Sequence, residues 1–324
     1  MNSPEIVILG VGDVGNEIVH CIQHSGITGA ETILVNTDIE HLNITQADKR
    51  ILIGKALKGG LGAGGCPTMG RRAAERGIPT INSVIESADM VFIAAGLGGG
   101  TGTGSIPLIA KVAQENGSLV ICFVTLPSDN ERYQWINAKK SLMETLENAD
   151  SVIVLDYRKT ASLFPHLSSA QVYQKMDQMI ADTIREITEL VTVPSLMNID
   201  FADLRAVFKG KGIAVLLAGE SEEGIHNKNE SVTRSSLAHS SNNLDIKGAT
   251  GCLICITGDS DIDRFYGDDI ATAISYTLDP HADVVWGLNE KKEMAGKTRV
   301  FAIVTGFKEG ADAIFSESKC DLGG

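Results

Sequence analysis

Short, largely apolar runs alternate with amphipathic stretches along the first half of the chain. Such runs are typical of buried strands and lie at residues 5–9, 32–35, 90–95, 119–124 and 151–155. Apolar positions with a helical period occur at residues 13–25, 67–88, 105–116 and 132–148. We expect the second of these helical stretches to be interrupted near Gly77 and Pro79. Strands that alternate with helices predict a parallel sheet covered by helices on both faces.

A long amphipathic helix is predicted over residues 170–192, and Pro194 marks its end. Its apolar stripe consists of Met176, Met179, Ile180, Ile184, Ile187 and Leu190 or Val191. Beyond it the pattern changes: strands are expected near 213–218, 251–257, 283–288 and 298–305. Residues 231–243, rich in Ser, Asn and His, predict an exposed loop.

These elements predict an α/β fold in three parts. Residues 1–169 are expected to form a parallel-sheet, Rossmann-like domain, and residues 170–194 a long central helix. Residues 195–324 are expected to form a second, α+β domain. The 324 residues, 43% of them hydrophobic, are enough to give two such domains a core each.

Composition excludes several classes of function. A formal net charge of −13 disfavours general nucleic-acid binding, which needs basic patches. The N-terminus shows no signal-peptide pattern, and no apolar run approaches the ~18 residues of a membrane span, so we expect a cytoplasmic protein without membrane insertion. The six cysteines are scattered as in a reduced protein. Cys252 and Cys255 are expected on opposite faces of one strand, which disfavours a metal or redox site.

Glycine, 34 residues in all, clusters where predicted strands end. Gly10, Gly12 and Gly15 match the G-x-G-x-x-G pattern between a strand and a helix, and Asp38 ends the second strand. This pattern alone would fit an NAD-dependent enzyme. It indicates only that the backbone approaches an anion at a helix N-terminus.

A second glycine loop, residues 96–104, is more specific. It holds six glycines and two threonines, and no lysine follows, which excludes a P-loop of the G-x-x-x-x-G-K-[ST] kind. A third loop, residues 59–65, could close over a terminal phosphate. Three such loops at the carboxyl edge of one sheet favour a nucleoside triphosphate over a dinucleotide.

Four ordered motifs resemble those of the FtsZ/tubulin superfamily, and the chain is most similar to an FtsZ-like GTPase with some CetZ-like and tubulin-like features. The motifs are GGGTGTG at 98–104, NTD at 36–38, LGAG at 61–64 and NIDFAD at 198–203. The resemblance covers about residues 5–307, nearly the whole chain. The resemblance implies a tubulin/FtsZ fold in which the first domain binds GTP or GDP.

The resemblance also implies the residues of the site. Tyr173 would stack on guanine, and Asp177, one helical turn later, would read its edge. From its position near the phosphates, and apart from the resemblance, Asp38 is expected to contact Mg²⁺ or its water shell. The remaining nucleotide-binding residues would be Gly12, Asp13, Val14, Gly15, Asn16, Gly64, Gly65, Gly98, Gly99, Gly100, Thr101, Gly102, Thr103 and Glu131.

In this family the active site is shared between subunits. Asp200 and Asp203 would polarise the attacking water at the neighbouring subunit's nucleotide, and Asn198 would position their loop. The protein's partner would be itself, in a head-to-tail polymer, or related FtsZ-like subunits. Hydrolysis would then require assembly. Asp200 has an alternative interpretation as the cap of a helix that begins near Phe201.

The chain departs from the FtsZ pattern at three places near the nucleotide. The loop at residues 12–16 is shorter than the usual polyglycine run. Glu131 and Arg132 are adjacent, whereas the family has Glu and Arg four residues apart. Asp156, Tyr157 and Arg158 stand where FtsZ has an Asn. These departures concern the ribose and base, and they leave triphosphate binding unaffected. The chain printed here also lacks the linker and adaptor peptide usual in FtsZ, as expected for a trimmed chain or a specialised paralogue.

Three functions therefore stay open beside a division GTPase. One is a paralogue for cell shape, organelle positioning or plasmid segregation. Another is a filament protein that binds nucleotide and barely hydrolyses it, which the Asn198, Asp200 and Asp203 set disfavours. The third, an NAD-dependent enzyme, is disfavoured by the 96–104 loop and by the lack of an evident residue for hydride chemistry.

Overall fold

The computed structural model describes residues 3–128, 132–210, 212–221, 228–307 and 312–316. Within these ranges the strands are β1 (Ile6–Val11), β2 (Glu31–Asn36), β3 (Lys49–Leu52), β4 (Met90–Gly96), β5 (Leu119–Thr125), β6 (Ser151–Leu155), β7 (Gly212–Glu220), β8 (Gly251–Gly258), β9 (Asp283–Glu290) and β10 (Thr298–Thr305). The helices are α1 (Gly12–His24), α2 (Ile39–Ile44), α3 (Lys55–Lys58), α4 (Pro67–Ile85), α5 (Thr101–Glu115), α6 (Arg132–Leu146), α7 (Tyr157–Leu163), α8 (Ser169–Thr192), α9 (Phe201–Phe208), α10 (Lys228–Ala238), α11 (Arg264–Ser275) and α12 (Asp312–Ser316).

The strands form one sheet in the order β3-β2-β1-β4-β5-β6-β7-β10-β8-β9. β1 to β6 are all parallel, which confirms the prediction for the first half of the chain. The register places Val11 beside Val35 and Ala95, so these three strands end at the same level. The loops that follow them therefore meet at one edge.

Apolar side chains alternate between the two faces of the sheet, as the period of a strand requires. Leu9 and Ile93 belong to a core cluster that α4, α5 and α6 cover. Ile8 and Phe92 belong to a second cluster that α1 and α8 cover. Both faces are thus buried, which explains why the parallel strands read as continuous apolar runs.

The sheet does not stop at the first domain. β7 pairs with β6 in parallel, and β10 then pairs antiparallel with both β7 and β8. The four strands predicted beyond residue 195 are all present, and the mixed pairing agrees with the expected α+β character. What the sequence pattern did not indicate is that the two regions share a sheet.

α8 lies against both regions of this sheet. Its predicted stripe is confirmed, since Met176, Ile180 and Ile184 are buried. A capping box between Ser168 and Gln171 begins the helix. Ion pairs then tie it to the second region: Glu189 to Lys291 at 2.6 Å and Asp182 to Arg299 at 3.7 Å.

The predicted interruption near Gly77 and Pro79 is wrong, because α4 continues from Pro67 to Ile85. Pro79 and Glu75 are both exposed. The Glu75 carbonyl, which loses its partner four residues later, can therefore bond to water. Gly77 faces inward, where a Cβ would lie 2.4 Å from Ile53, so its role is close packing rather than helix breaking.

The exposed loop predicted at residues 231–243 is also wrong. Most of it belongs to α10, and Ser241 and Asn242 after the helix are buried. Ser241 Oγ accepts from the Leu216 amide at 3.0 Å, and Asn242 Nδ2 donates to the Val154 carbonyl at 3.2 Å. The polar composition suggested exposure, but these side chains are buried because they form hydrogen bonds with backbone groups of the strands.

The cysteine prediction is confirmed. Cys252 and Cys255 are both buried, and they belong to the core clusters on opposite faces of the sheet. Burial raises the pKa of Cys252 to about 12. Both thiols therefore act as small apolar side chains.

Candidate nucleotide-binding site

The glycine loops converge on a cavity of about 560 Å³ at the carboxyl edge of the parallel strands. Its walls come from the β1–α1 turn, the turn after β2, residues 61–65, 96–97 and 99–102, the end of β5, and one side chain each from α6 and α8. Of the predicted residues, the cavity is lined by Gly12, Asp13, Val14, Asp38, Gly64, Gly65, Gly99, Gly100, Thr101, Gly102 and Tyr173.

The turn between β1 and α1 has little room for side chains. Gly12 has φ +73°, and a Cβ there would lie 2.9 Å from the Gly102 amide nitrogen. The first and second glycine loops therefore touch through backbone alone. Gly15 lies behind the turn, where a Cβ would come within 2.2 Å of the Ala94 carbonyl oxygen.

Asn16, predicted to bind nucleotide, lies behind the cavity wall and is fully buried. When the side-chain amide is oriented so that both its oxygen and its nitrogen form hydrogen bonds, the nitrogen donates to the Gly10 and Gly12 carbonyls at 2.9 and 3.1 Å. Its oxygen accepts from Asn36, which also donates to Asp13 Oδ1 at 2.9 Å. Asn16 thus braces the loop that lines the cavity, a role the G-x-G-x-x-G pattern could not distinguish from ligand contact.

Half of the second glycine loop is helical, because α5 begins at Thr101 rather than near the predicted residue 105. Its N-terminal amides and dipole face the cavity, an arrangement that favours a bound anion. Gly98, with φ +108°, and the buried Thr103 lie behind, where the Gly98 amide donates to Thr103 Oγ1 at 2.9 Å. Thr101 Oγ1 is 2.7 Å from Thr37 Oγ1, which links this loop to the turn after β2.

Asp38 is one of the charged side chains that line the cavity. Its Oδ1 accepts from the Glu40 and His41 amides at 2.9 and 3.2 Å and so caps α2. Its Oδ2 faces the third loop, 3.6 Å from the position of a Cβ on Gly62. Within the described ranges no three His, Cys, Asp or Glu side chains gather as a metal site. This donor set fits Mg²⁺ held mainly by phosphates and water, with one protein carboxylate.

The start of α8 contributes an aromatic ring to the cavity. Tyr173 lines it, and the Tyr157 ring lies 4.7 Å from the Tyr173 ring, centroid to centroid. Asp177 is half-buried one helical turn further on and does not line the cavity. Burial, with a smaller contribution from the Glu17 carboxylate, raises the pKa of Asp177 to about 7.

Sequence reasoning missed Gln134 of α6, which lines the cavity beside Leu126 and Pro127 at the end of β5. The one available signal was that β5, like its neighbours, ends at this edge of the sheet. Glu131, predicted to bind nucleotide, lies outside the described residues.

The predicted catalytic residues lie elsewhere, past the far end of α8. Asn198 Nδ2 donates to the Leu190 and Val193 carbonyls at 2.9 and 2.7 Å and braces this loop. Asp200 caps α9 by accepting from the Ala202 amide at 2.9 Å, so the capping interpretation is confirmed. Asp203 is exposed in the first turn of α9.

The family models agree with this architecture. Residues 5–164 match the GTPase domain of the Tubulin/FtsZ family, and residues 212–308 match the C-terminal domain of the FtsZ family. The chain is 42% identical over 303 residues to cell division protein FtsZ 2 of Halobacterium salinarum, covering 94% of this chain and 77% of that one. The chain belongs to the Tubulin/FtsZ family. FtsZ 2 of Methanocaldococcus jannaschii is 44% identical over 306 residues, which cover 94% of this chain and 80% of the relative.

Solved structures confirm the tubulin/FtsZ fold. The FtsZ dimer of M. jannaschii superposes with a TM-score of 0.91 and 34% identity, over 95% of this chain and 89% of that one. CetZ2 of Haloferax volcanii, at 23% identity, gives a TM-score of 0.81 over 97% of each chain. The protein is therefore a GTPase of the FtsZ kind that binds GTP and GDP, and the predicted resemblance is confirmed. In the part of the chain described here, no helix is long and apolar enough to cross a membrane.

The contact between the first two glycine loops gives a prediction. We expect Gly12→Ala to lower GDP affinity by about tenfold or more, because the new Cβ displaces the Gly102 amide and the loop around it. Gly26→Ala is a matched control, since Gly26 also has φ +73° but nothing lies within 4 Å of its Cβ position. Calorimetric titration with GDP measures both variants, and equal affinities would contradict the backbone contact.

Proposed function

We propose that this GTPase assembles head to tail into cytoplasmic filaments and hydrolyses GTP between subunits, in cell division. One observation carries the proposal: the cavity and the Asp200–Asp203 loop lie at opposite ends of α8. About 19 residues separate Tyr173 from the end of the helix, or roughly 28 Å at 1.5 Å per residue. A chain cannot bring its own loop to its own cavity without breaking that helix, but a second copy can.

Asp203 is the carboxylate that fits the attacking water. It is exposed in the first turn of α9, whereas the Asp200 carboxylate is partly engaged as the cap. In the assembled site Asp203 would orient and polarise water at the γ-phosphate of the next subunit, and Asp200 would hold its helix and lie beside it. Asn198, through its two bonds to the end of α8, keeps the loop in position.

Within the cavity, the triphosphate would occupy the end formed by the glycine loops and the N-terminus of α5. When bound, Mg²⁺ would neutralise phosphate charge, and Asp38 is the side chain that would contact it or its water shell. Guanine would stack on Tyr173, and an ionised Asp177 would accept hydrogen bonds from its edge. In the same proposal residues 1–169 are the GTP-binding domain, 170–194 the central helix and 195–324 the domain that acts on the neighbour.

Division is the process we propose because the curated relatives at 42% and 44% identity are named cell division proteins. The similar M. jannaschii structure is described as a dimer, which supports self-association. The partner is then a second copy of this chain or a related FtsZ-like subunit.

If the site is shared, turnover must depend on assembly. We expect GTP turnover per subunit to vanish below a threshold protein concentration and light scattering to rise at that same concentration. ATP serves as the nucleotide control and should give neither signal. Turnover strictly proportional to protein at all concentrations would mean a self-contained site, and scattering without turnover would mean a static filament.

Asp203→Ala tests the neighbour's contribution. We expect GDP affinity to stay within about twofold and turnover to fall by about a hundredfold, because general-base assistance typically contributes 10²–10⁴. A minority of Asp203→Ala subunits mixed into wild type should slow hydrolysis more than dilution does. Asp268→Ala, which removes another exposed helical carboxylate of the second region, in α11, is the control. A pure Asp203→Ala sample with normal turnover would refute the shared site.

The raised pKa of Asp177 predicts proton-linked base binding. Above pH 7 the carboxylate is ionised and can accept two hydrogen bonds from guanine, whereas below pH 7 it must first lose a proton. GDP affinity should therefore fall by up to about tenfold per unit as pH drops below 7. Titrations from pH 8 to 6 measure this dependence, and Asp177→Asn should remove it. The same slope in Asp177→Asn would assign the proton to another group.

A further inference from the structure

The segment after β6 is held rigidly although it contributes nothing to the cavity wall. Asp156 is 1% exposed, and its Oδ1 accepts from the Arg158 amide at 2.8 Å. The Arg158 side chain donates back to this carboxylate, from Nε to each oxygen at 3.1 Å and from Nη2 to Oδ2 at 2.6 Å. The guanidinium also lies over the Trp135 ring, 4.7 Å from its centroid. The Asp156 carboxylate is thus engaged within its own segment.

Tyr157 stands between these two paired charges and begins α7. The Asp156 amide donates to the Ser241 carbonyl at 2.9 Å, and the Thr160 amide donates to the Asp156 carbonyl at 3.1 Å. Hydrogen bonds on both sides of Tyr157 therefore hold the backbone from which its ring projects. An ion pair with several hydrogen bonds is rigid, because each guanidinium bond restricts the others.

The Tyr157 ring packs on Tyr173. The planes meet at 36° with the centroids 4.7 Å apart, within the range of favourable aromatic pairs. Both tyrosines pack against the same core cluster as Val14, and Val14 and Tyr173 line the cavity. One side of the Tyr173 ring is therefore supported from within the protein.

We propose that Tyr157 is a positioning residue, which holds the Tyr173 ring in the orientation that the guanine base stacks on. The inference rests on the proposed base-stacking role of Tyr173. An unsupported ring would have to be ordered when nucleotide binds, and this ordering would weaken affinity. A supported ring is ordered in advance. The Asp156–Arg158 pair keeps the support in place.

Calorimetric titration with GDP, at protein concentrations below assembly, tests the role. We expect Tyr157→Leu to weaken GDP binding by about threefold to tenfold, the usual worth of an aromatic pair. Tyr157→Phe keeps the ring and should stay within about twofold of wild type. Tyr276→Leu, which removes a tyrosine that is 85% exposed in the second domain, is the control. At saturating GTP the turnover of assembled Tyr157→Leu should match wild type while its KM rises, because the hydrolytic groups are untouched.

The double variant distinguishes a failure of this inference from a failure of the proposed stacking of guanine on Tyr173. In a Tyr173→Leu background, Tyr157→Leu should cause no further loss, since the ring it supports is gone. If Tyr173→Leu binds GDP like wild type, the base-stacking proposal itself fails. If Tyr173→Leu weakens binding but Tyr157→Leu does not, the base site stands and the positioning role is refuted. Equal losses from Tyr157→Leu in both backgrounds would also refute it. Thermal unfolding without nucleotide checks each fold, and Tyr157→Met replaces Tyr157→Leu if that variant unfolds.

Discussion

The rigid length of α8 is the constraint on which the rest of the molecule depends. The helix is packed along its whole length. Its apolar stripe is buried in the second core cluster, and its charged side chains pair with Lys291 and Arg299 of the second region. A 24-residue helix is about 36 Å long. The groups near its start and those past its end are therefore held apart permanently. In the proposed function hydrolysis needs groups from both ends, so it would use two molecules, and assembly would be a condition of catalysis.

The cavity follows from the register of the parallel strands, and this part could be predicted from sequence. Apolar runs that end in glycine are local signals, and parallel strands must place such ends at one edge. Which glycine faces the ligand could not be predicted, because that depends on residues distant in the chain. A Cβ on Gly15 would clash with the Ala94 carbonyl, and a Cβ on Gly98 would clash with Gln134. A Cβ on Gly99, in contrast, would have nothing within 4 Å. In sequence these glycines look alike.

The wrong loop prediction has a clear physical origin. The Ser- and Asn-rich stretch around Ser241 and Asn242 was interpreted from its polarity as an exposed loop. Its side chains instead satisfy buried backbone, a need that arises only when the sheet is complete. The prediction for α8 succeeded because a long helix with a continuous apolar stripe carries its own periodic signal. Short elements such as α2, β3 and α3 carry none.

In the proposed binding mode, phosphate and base are recognised by different physics. The glycine loops offer backbone amides, a helix terminus and hydroxyl groups, which attract polyphosphate of any nucleoside. Discrimination between nucleosides would then come from side chains on α8. Of the charged groups on or beside α8, the Asp156 carboxylate is engaged with Arg158, while Asp177 is half-buried and close to its pKa at neutral pH, and neither lines the cavity. In the proposed base site, guanine binding and proton release would therefore be coupled on α8. Because α8 is also tied to the second region through Asp182 and Glu189, the proposed function places base recognition and the Asp203 loop at the two ends of one rigid element.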